Sequence, residues 1–415
     1  MRVPKELAEA FGAPFEKEMA RFLVSRELID DETSLQSQRF LSRSVVPHVT
    51  KLSEFFNRLS ENQPEALDGG YWKTGSNTKN LRLAYFLAFM PPNLFRMSSV
   101  WNELHRLGYR WPFEDPLRAI DVGSGPATAV SGVAAGETYG EIGLPRDGNW
   151  ALIDLDNSVL DMGMAWATQY LEFLGRPGWE FRLFPRKIEL DSLLPRAAPR
   201  FQLWTQSFFL NEMPEKPASE VASALLATWS RHLENEGLVL WVEPALKKES
   251  RRLLEVRKAL LKQIEKEDLP FQVLLPCLGH QACGALAEPE DWCHEQVVWW
   301  RPPYLRKLDD MTNLDRKSLP FSYLVISKTR RPLGEIFPKL AGFSAGEAER
   351  LVSPPHSEGR DLEFFICGQT GKRRARFRPS DPAREEIERG TLLLGSDARG
   401  TPESTRIDSV KRIQN

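Results

Sequence analysis

The sequence predicts an α/β fold: a mostly parallel sheet covered by helices on both faces, preceded by a helical region and followed by a cysteine-bearing module. Three observations predict it. From residue 117 onward short apolar runs alternate with helical stretches, the pattern of parallel strands joined by helical crossovers. A glycine-rich turn joins the first of these runs to a helix, and three of the four cysteines crowd into residues 276–294, "PCLGHQACGALAEPEDWCH".

With 415 residues, 41% of them hydrophobic, the chain can bury a full core and hold more than one unit. No apolar run approaches the length that spans a bilayer. The N-terminus, "MRVPKELAEAFGAPFEKEM", alternates charged with apolar residues where a signal peptide would carry a hydrophobic block. These features lead to the expectation of a cytoplasmic chain with no targeting segment and no membrane partner. Four cysteines are too few for a disulfide framework, so a local cluster of them reads as metal ligation or redox chemistry. The net charge of −2 conceals basic groups at "KKESRR", "SKTRR" and "GKRRARFR", which leave an RNA partner open.

Residues 1–110 read as a helical region, with apolar residues at helical spacing in "VPHVTKLSEFFNRL" and "NLRLAYFLAFMPPNLFRMSSVWNELHRLGY". Pro91 and Pro92 divide the second stretch into two helices. Residues 111–330 carry the sheet: "LRAIDVGSG", "NWALIDLD", "WEFRLF", "FQLWTQSFF" and "GLVLWVEP", then an amphipathic helix through Leu253, Val256, Leu260 and Ile264, then the cysteine loop inserted at 270–305 and a late strand, "FSYLVISK". Residues 331–380 supply a β segment, with "DLEFFICGQTGKRRARFR" as a hairpin turning at Gly368 to Gly371; residues 381–415 are polar enough to predict a mobile tail.

In "AIDVGSGPATA" the first strand runs through Asp121 into Gly123, Ser124 and Gly125. Glycines there let the backbone approach a ligand, and the N–H groups that open the next helix favour polar or anionic groups. The third glycine of the dinucleotide fingerprint is absent. The stretch resembles motif I of S-adenosylmethionine-dependent methyltransferases, which implies a Rossmann-like methyltransferase fold with Asp121, Gly123, Ser124 and Gly125 at the donor. The second strand ends "LIDLDNS", offering Asp156, with Asp154 as second choice, to the ribose hydroxyls. After the fourth strand "SFFLNEMP" brings Asn211 and Glu212 to the same end of the sheet, either to line the donor pocket or to cap a helix. No residue is nominated as general base, and the catalytic residues are left unknown.

The cysteines follow the spacing Cys277-x5-Cys283-x9-Cys293, with Cys367 far downstream. Four thiolates can close a tetrahedral zinc site or hold the corners of an iron–sulfur cluster, and His280 or His294 can replace a thiolate on zinc. The prolines, glycines and charges around them make a turn-rich loop with little core of its own, which argues against four inert buried thiols.

The glycine motif together with the cysteine loop and the late lone cysteine before a basic hairpin resembles the mitochondrial small-ribosomal-subunit methyltransferase-like family and its bacterial homologues. The likeness runs over roughly residues 70–380, through "YFLAFMPPNLFRMSSVWNEL", "DVGSGPATA", "SFFLNEMP", "WVEP", the cysteine loop, "FSYLVISK" and "RLVSPPHSEGRDLEFFICGQTGKRRARF". It implies a [4Fe-4S] cluster on Cys277, Cys283, Cys293 and Cys367, S-adenosylmethionine as second cofactor, and the small ribosomal subunit and its rRNA as partners of a chain that is monomeric off the ribosome. Two departures stand out: Ala127 and Ala245 occupy places where the family carries glycine, which would narrow the donor pocket. The expected function is that of a small-subunit assembly factor which meets RNA phosphates through Lys372, Arg373, Arg374, Arg376 and Arg378, with Trp299 and Trp300 available for stacking. An active rRNA methyltransferase and a small-molecule methyltransferase with a structural zinc are the alternatives.

Overall fold

The computed structural model describes residues 1, 3–60, 78–279, 283–342, 348–369, 371–378, 387–394, 398–401, 404–407 and 411–412. The helical region comprises α1 (Lys5–Ala10), α2 (Ala13–Ser25), α3 (Val46–Ser60), α4 (Thr78–Ala88) and α5 (Met90–Arg106). Pro91 and Pro92 lie in the first turn of α5, where a missing N–H costs no hydrogen bond, so α4 ends at Ala88. The region does not stand apart from the sheet. Phe15 and Phe22 of α2 meet the Trp166 ring edge to face, at 5.6 and 5.5 Å between centroids.

Five strands alternate with helices as the apolar runs require: β1 (Leu117–Val122), α6 (Thr128–Tyr139), β2 (Gly148–Asp154), α7 (Asn157–Phe173), β3 (Trp179–Pro185), β4 (Phe201–Ser207), α8 (Ala218–His232) and β5 (Leu233–Pro244). After α9 (Lys247–Lys266) come β6 (Gln272–Leu275), β7 (Glu295–Val298), α10 (Pro303–Thr312) and β8 (Ser318–Ser327). The strand order is β3-β2-β1-β4-β5-β8-β6, with β7 also on β8. β1 to β5 run parallel, and β8 enters antiparallel between β5 and β6. This is the Rossmann-like arrangement of methyltransferases, with its order reversing between β1 and β4. Ligands in open α/β sheets sit at that reversal, beyond the carboxyl ends of the strands.

The sheet is buried on both faces, which is why its strands are near-continuous apolar runs. One face carries the helical region, α6 and α7 around Trp101, Trp150 and Trp166. The other carries α8 and α9 around Trp204, Trp229 and Trp241. The α5–α6 crossing depends on two small residues: a methyl added at Gly132 or Gly136 would lie 2.6 Å from the Cβ of Met97 or Trp101.

A second sheet follows, ordered β14-β15-β12-β11-β9-β13-β16, with β10 on β11. Its strands are β9 (Ala348–Leu351), β10 (His356–Glu358), β11 (Asp361–Gly368), β12 (Gly371–Phe377), β13 (Leu392–Leu394), β14 (Ala398–Thr401), β15 (Ser404–Ile407) and β16 (Lys411–Arg412). The hairpin expected around Gly368–Gly371 is β11–β12. Residues 381–415, read from their polarity as a mobile tail, instead contribute β13 to β16. The run Leu392-Leu393-Leu394 pairs with β9 and buries Leu392 and Leu393, closing a sheet edge that β9 would otherwise leave open. No helix among the described residues is long and apolar enough to cross a membrane.

Candidate functional site

At the reversal point, β1 delivers its chain into Gly123 and Gly125, with φ of 70° and 51°. Only glycine adopts that left-handed backbone without strain. The turn is tied to the second strand: the Gly123 and Ser124 N–H groups donate to the Ile153 carbonyl at 2.9 and 3.0 Å, and Gly125 N–H donates to Asp154 Oδ2 at 2.8 Å. Above Gly125 a methyl would meet nothing within 4 Å, so the turn opens onto space. Asp121 accepts the Thr205 hydroxyl at 2.7 Å through one oxygen and leaves Oδ2 buried without a partner. Ser124 Oγ, Thr128 Oγ1 and Asn211 Oδ1 are likewise buried and, among the described residues, unpartnered. Each such group costs about 1–3 kcal/mol, and a polar ligand at the carboxyl end of the sheet would relieve that cost. Burial pushes the Asp121 carboxyl up to about 7, and the nearby Asp154 charge adds to this.

Asp154 and Asp156 divide the roles that the sequence could not separate. Asp154 ends β2 and holds the glycine turn. Asp156 caps α7 by accepting the Val159 N–H at 3.0 Å and pairs with Arg82 at 2.8 Å. Ala127 does not narrow the opening. It takes a left-handed φ of 56° and is fully buried in the core beside α7, where Gly163 leaves no room for a methyl against the Pro126 and Ala127 backbone. Asn211 and Glu212 lie in a short turn after β4. That turn is fixed by Glu243 at the end of β5, which accepts the Leu210 N–H and the Trp241 indole N–H, both at 2.7 Å. Burial pushes Glu243 up to about 7. "WVEP" in the sequence marked the place but not this clamp.

The second site is composite. Cys277 follows β6, Cys283 opens a short turn, Cys293 precedes β7 and Cys367 lies on β11 of the other sheet. All four are free, half-buried and line one cavity of about 200 Å³, together with Trp292, His294, Tyr323 and Arg350 among others. Burial, and then the neighbouring Cys277 and Cys283, push the Cys367 thiol up to about 12; Cys293 is raised as well, first by burial and then by the other three cysteines. Burial and the neighbouring cysteines raise Cys283, Cys293 and Cys367 alike, so the thiols stand near one another around the cavity. Among the described residues no group of three or more His, Cys, Asp or Glu side chains is arranged to hold a metal ion. The structure thus brings the four cysteines to one cavity, and the cysteine-ligated metal module expected from the sequence is not formed among the described residues. His280 lies outside the described residues, and His294 Nε2 is 2.7 Å from Arg389 Nη1.

Two features that the sequence did not announce assemble this cavity. A methyl at Gly284 would stand 2.2 Å from the Lys372 backbone nitrogen, so the loop passes against β12 with only a hydrogen's clearance. Arg350 of β9 is buried and donates to Pro276 O at 2.9 Å and to Glu103 Oε1 of α5 at 2.8 Å, with Glu295 Oε2 of β7 at 3.6 Å. One guanidinium thus joins the helical region, the cysteine loop and the second sheet. Glu103 is pushed up by burial but held well below the usual carboxylate range by Arg106 and Arg350. In the string "EAERLV" nothing distinguishes Arg350 from a surface arginine.

The basic hairpin is charge-balanced. Lys372 pairs with Asp291, Arg373 with Glu349, Arg374 with Glu363, Arg376 with Glu358 and Glu363, and Arg378 with Asp361. Trp299 is buried against Phe95 and donates its indole N–H to Arg316 O at 2.7 Å, whereas Trp300 is 53% exposed. Only the second is placed to stack on a partner.

Residues 80–378 match the family model described as "Mitochondrial small ribosomal subunit Rsm22". No curated protein matches the sequence. Among solved structures, the plantazolicin methyltransferase BpumL, with a substrate analogue and SAH, is 12% identical, with a TM-score of 0.34 over 68% of this chain and 98% of its own. Precorrin-6y C5,15-methyltransferase from Geobacter metallireducens is 12% identical, with a TM-score of 0.27 over 55% and 86%. The O-methyltransferase TomG from Streptomyces achromogenes, with SAM, is 11% identical, with a TM-score of 0.29 over 59% and 82%.

Proposed function

We propose, from the premise that this chain belongs to the Rsm22 family, that it is an assembly factor of the small ribosomal subunit which binds rRNA and carries a [4Fe-4S] cluster on Cys277, Cys283, Cys293 and Cys367. The observation that carries the cluster is the arrival of Cys367, from the second sheet, at the cavity of the three loop cysteines. The thiols surround a space where a single zinc would require them to meet near a point, about 2.3 Å from the ion. Among the described residues no three of them are so arranged, and a cluster, whose ligands need not meet at one ion, is the group we propose. Bound there, the cluster would supply a covalent tie between the two sheets, beside the Arg350 and Lys372–Asp291 links. The chain's own residues set the rest: Arg350 fixes the loop against β9, and Gly284 admits β12 to the cavity wall.

S-adenosylmethionine fits the glycine turn on this structure's own terms, since Asp121 Oδ2 and Ser124 Oγ are buried and, among the described residues, without partners. Bound, it would supply an electrophilic methyl group. Asp154 and Asp156 both stand at the end of β2 where the ribose would lie, Asp154 accepting the Gly125 and Asp156 N–H groups and Asp156 committed to its cap and to Arg82. RNA phosphates would contact the β11–β12 hairpin by replacing carboxylates on Arg376 and Arg378, whose side chains are 43% and 55% exposed.

Anaerobic purification followed by iron and sulfide analysis tests the cluster. About four irons and four sulfides per chain with broad absorbance near 400 nm are expected, and a colourless protein with one zinc would remove the cluster from the proposal. Co-sedimentation with small-subunit particles at moderate salt tests the partner.

A further inference from the structure

Between the helical region and the carboxyl ends of β4 and β5 lies a second cavity, of about 250 Å³. An engineered cavity of about 150 Å³ already admits benzene, so this one has room for a planar heterocycle. Its aromatic walls come from three segments far apart in sequence. Tyr85 and Phe89 of α4 and the turn after it stack at 5.8 Å between centroids, Phe56 of α3 meets Phe89 edge to face at 5.1 Å, and Phe208 closes the side toward β4. Phe208 is held at a φ of 57°, a left-handed conformation that aromatic residues rarely take, by its N–H donating to Val242 O at 2.8 Å.

The polar groups of the cavity are unequal. Asn211 Oδ1 and Glu249 Oε2 are buried and have no partner among the described residues; Glu249 is 7% exposed. Both are acceptors, so the missing partner is an N–H or O–H donor. Arg96 also lines the cavity, with its guanidinium 5.7 Å from the Phe208 centroid; it bonds the Asn93 side chain and Pro320 O, and no carboxylate among the described residues pairs with it. Arg316 is different, being committed to Asp309 and Ala88 O. The cavity adjoins the glycine turn. Phe209 is the residue that a methyl on Gly123 would meet, and the Tyr85 hydroxyl feels the charges of both Glu212 and Asp154.

We propose that this cavity takes one unstacked nucleobase bearing an exocyclic amino group, adenine or cytosine, from single-stranded RNA, stacked among Tyr85, Phe89 and Phe208 with its amino group on Asn211 and Glu249. Uracil presents a carbonyl where these two bases present the amine, and two unpaired acceptors reject it. Arg96, cationic and without an acidic partner, suits the phosphate that follows the base into the mouth of the cavity. The inference rests on the reading of this chain as an RNA-binding protein and adds which base it holds and where.

The test uses the full chain and end-labelled oligoribonucleotides: nonauridylate, and the same strand with its central residue changed to adenosine or to cytidine, with binding read by fluorescence anisotropy. A single adenosine or cytidine is expected to bind about tenfold tighter than nonauridylate, the size of one stacked base. Phe208→Gly suits the left-handed backbone, so it keeps the fold while removing the ring, and it is expected to erase that tenfold difference. Glu249→Gln is expected to narrow it. Saturating S-adenosylhomocysteine is expected to leave it unchanged; if it abolishes the preference, the cavity belongs to the donor and the inference is overturned. Equal binding of all three strands by a protein that still binds small-subunit rRNA overturns the inference alone. Failure to bind any RNA overturns both it and the reading beneath it.

Discussion

The glycine turn and the cysteine cavity are built in opposite ways. The turn is made by one contiguous strand–loop–helix segment and the end of the neighbouring strand, with Gly125 held by Asp154 and Gly123 by Ile153. The cavity draws its thiols from a loop leaving the first sheet and from a strand in the middle of the second, and depends on Arg350 and Gly284 to bring them together. A local site forms whenever its sheet forms. A composite site forms only when two sheets dock, so damage to the docking should empty the second site and spare the first.

The sharpest way to break that comparison is to remove the thiol that comes from the other sheet. Cys367→Ser is expected to lose most of the iron and to make residues 331–415 protease-sensitive while S-adenosylmethionine affinity holds; metal analysis, limited proteolysis and calorimetric titration read the three. Retention of full iron would detach Cys367 from the cluster. Arg350→Met leaves Glu295 buried without its cation and Glu103 with Arg106 alone, and breaking a buried pair costs about 3–5 kcal/mol; urea denaturation should show the loss, confined to the docking step if the first sheet unfolds separately.

Smaller effects sharpen the contrast from both sides. Gly284→Ala forces a methyl against the Lys372 backbone, and overpacking of that kind costs about 1–3 kcal/mol, again with the turn unaffected. On the turn itself, Asp121→Asn removes the charge of an orphaned buried oxygen. A hydrogen bond to a charged group is worth about 1.5–3 kcal/mol, so the dissociation constant for S-adenosylmethionine should rise roughly ten- to a hundredfold with iron content unchanged. A separate test is pH. Asp121 and Glu243 each titrate near 7 in the fold but at about 4 when unfolded. Between those values the folded chain holds more protons than the unfolded one, so stability falls as pH rises through the window and levels off above it. Asp121→Asn should flatten part of that decline in thermal melts from pH 4 to 8.

Much of the first site could be read directly from residue order. Alternating apolar runs and a G-x-G turn report on neighbours within a few residues, and the strand–turn–helix that they imply is the one that forms. What escaped that reading depended on distance. Whether Asp154 or Asp156 faces the turn is a matter of where β2 stops and α7 is capped, two positions apart in the chain. The polar C-terminal segment looked mobile because its few leucines gain meaning only beside β9.

By itself, then, the sequence determined the parallel sheet, its glycine turn and the set of four thiols, because periodicity and residue chemistry are local properties. Only the tertiary structure decided that those thiols share one cavity, that the basic hairpin is neutralised by carboxylates of the cysteine loop, β9, β10 and β11, and that Arg350 joins three parts of the molecule. Each of these is a pairing between residues remote in sequence, and the free energy of such a pairing exists only once the two sheets have met.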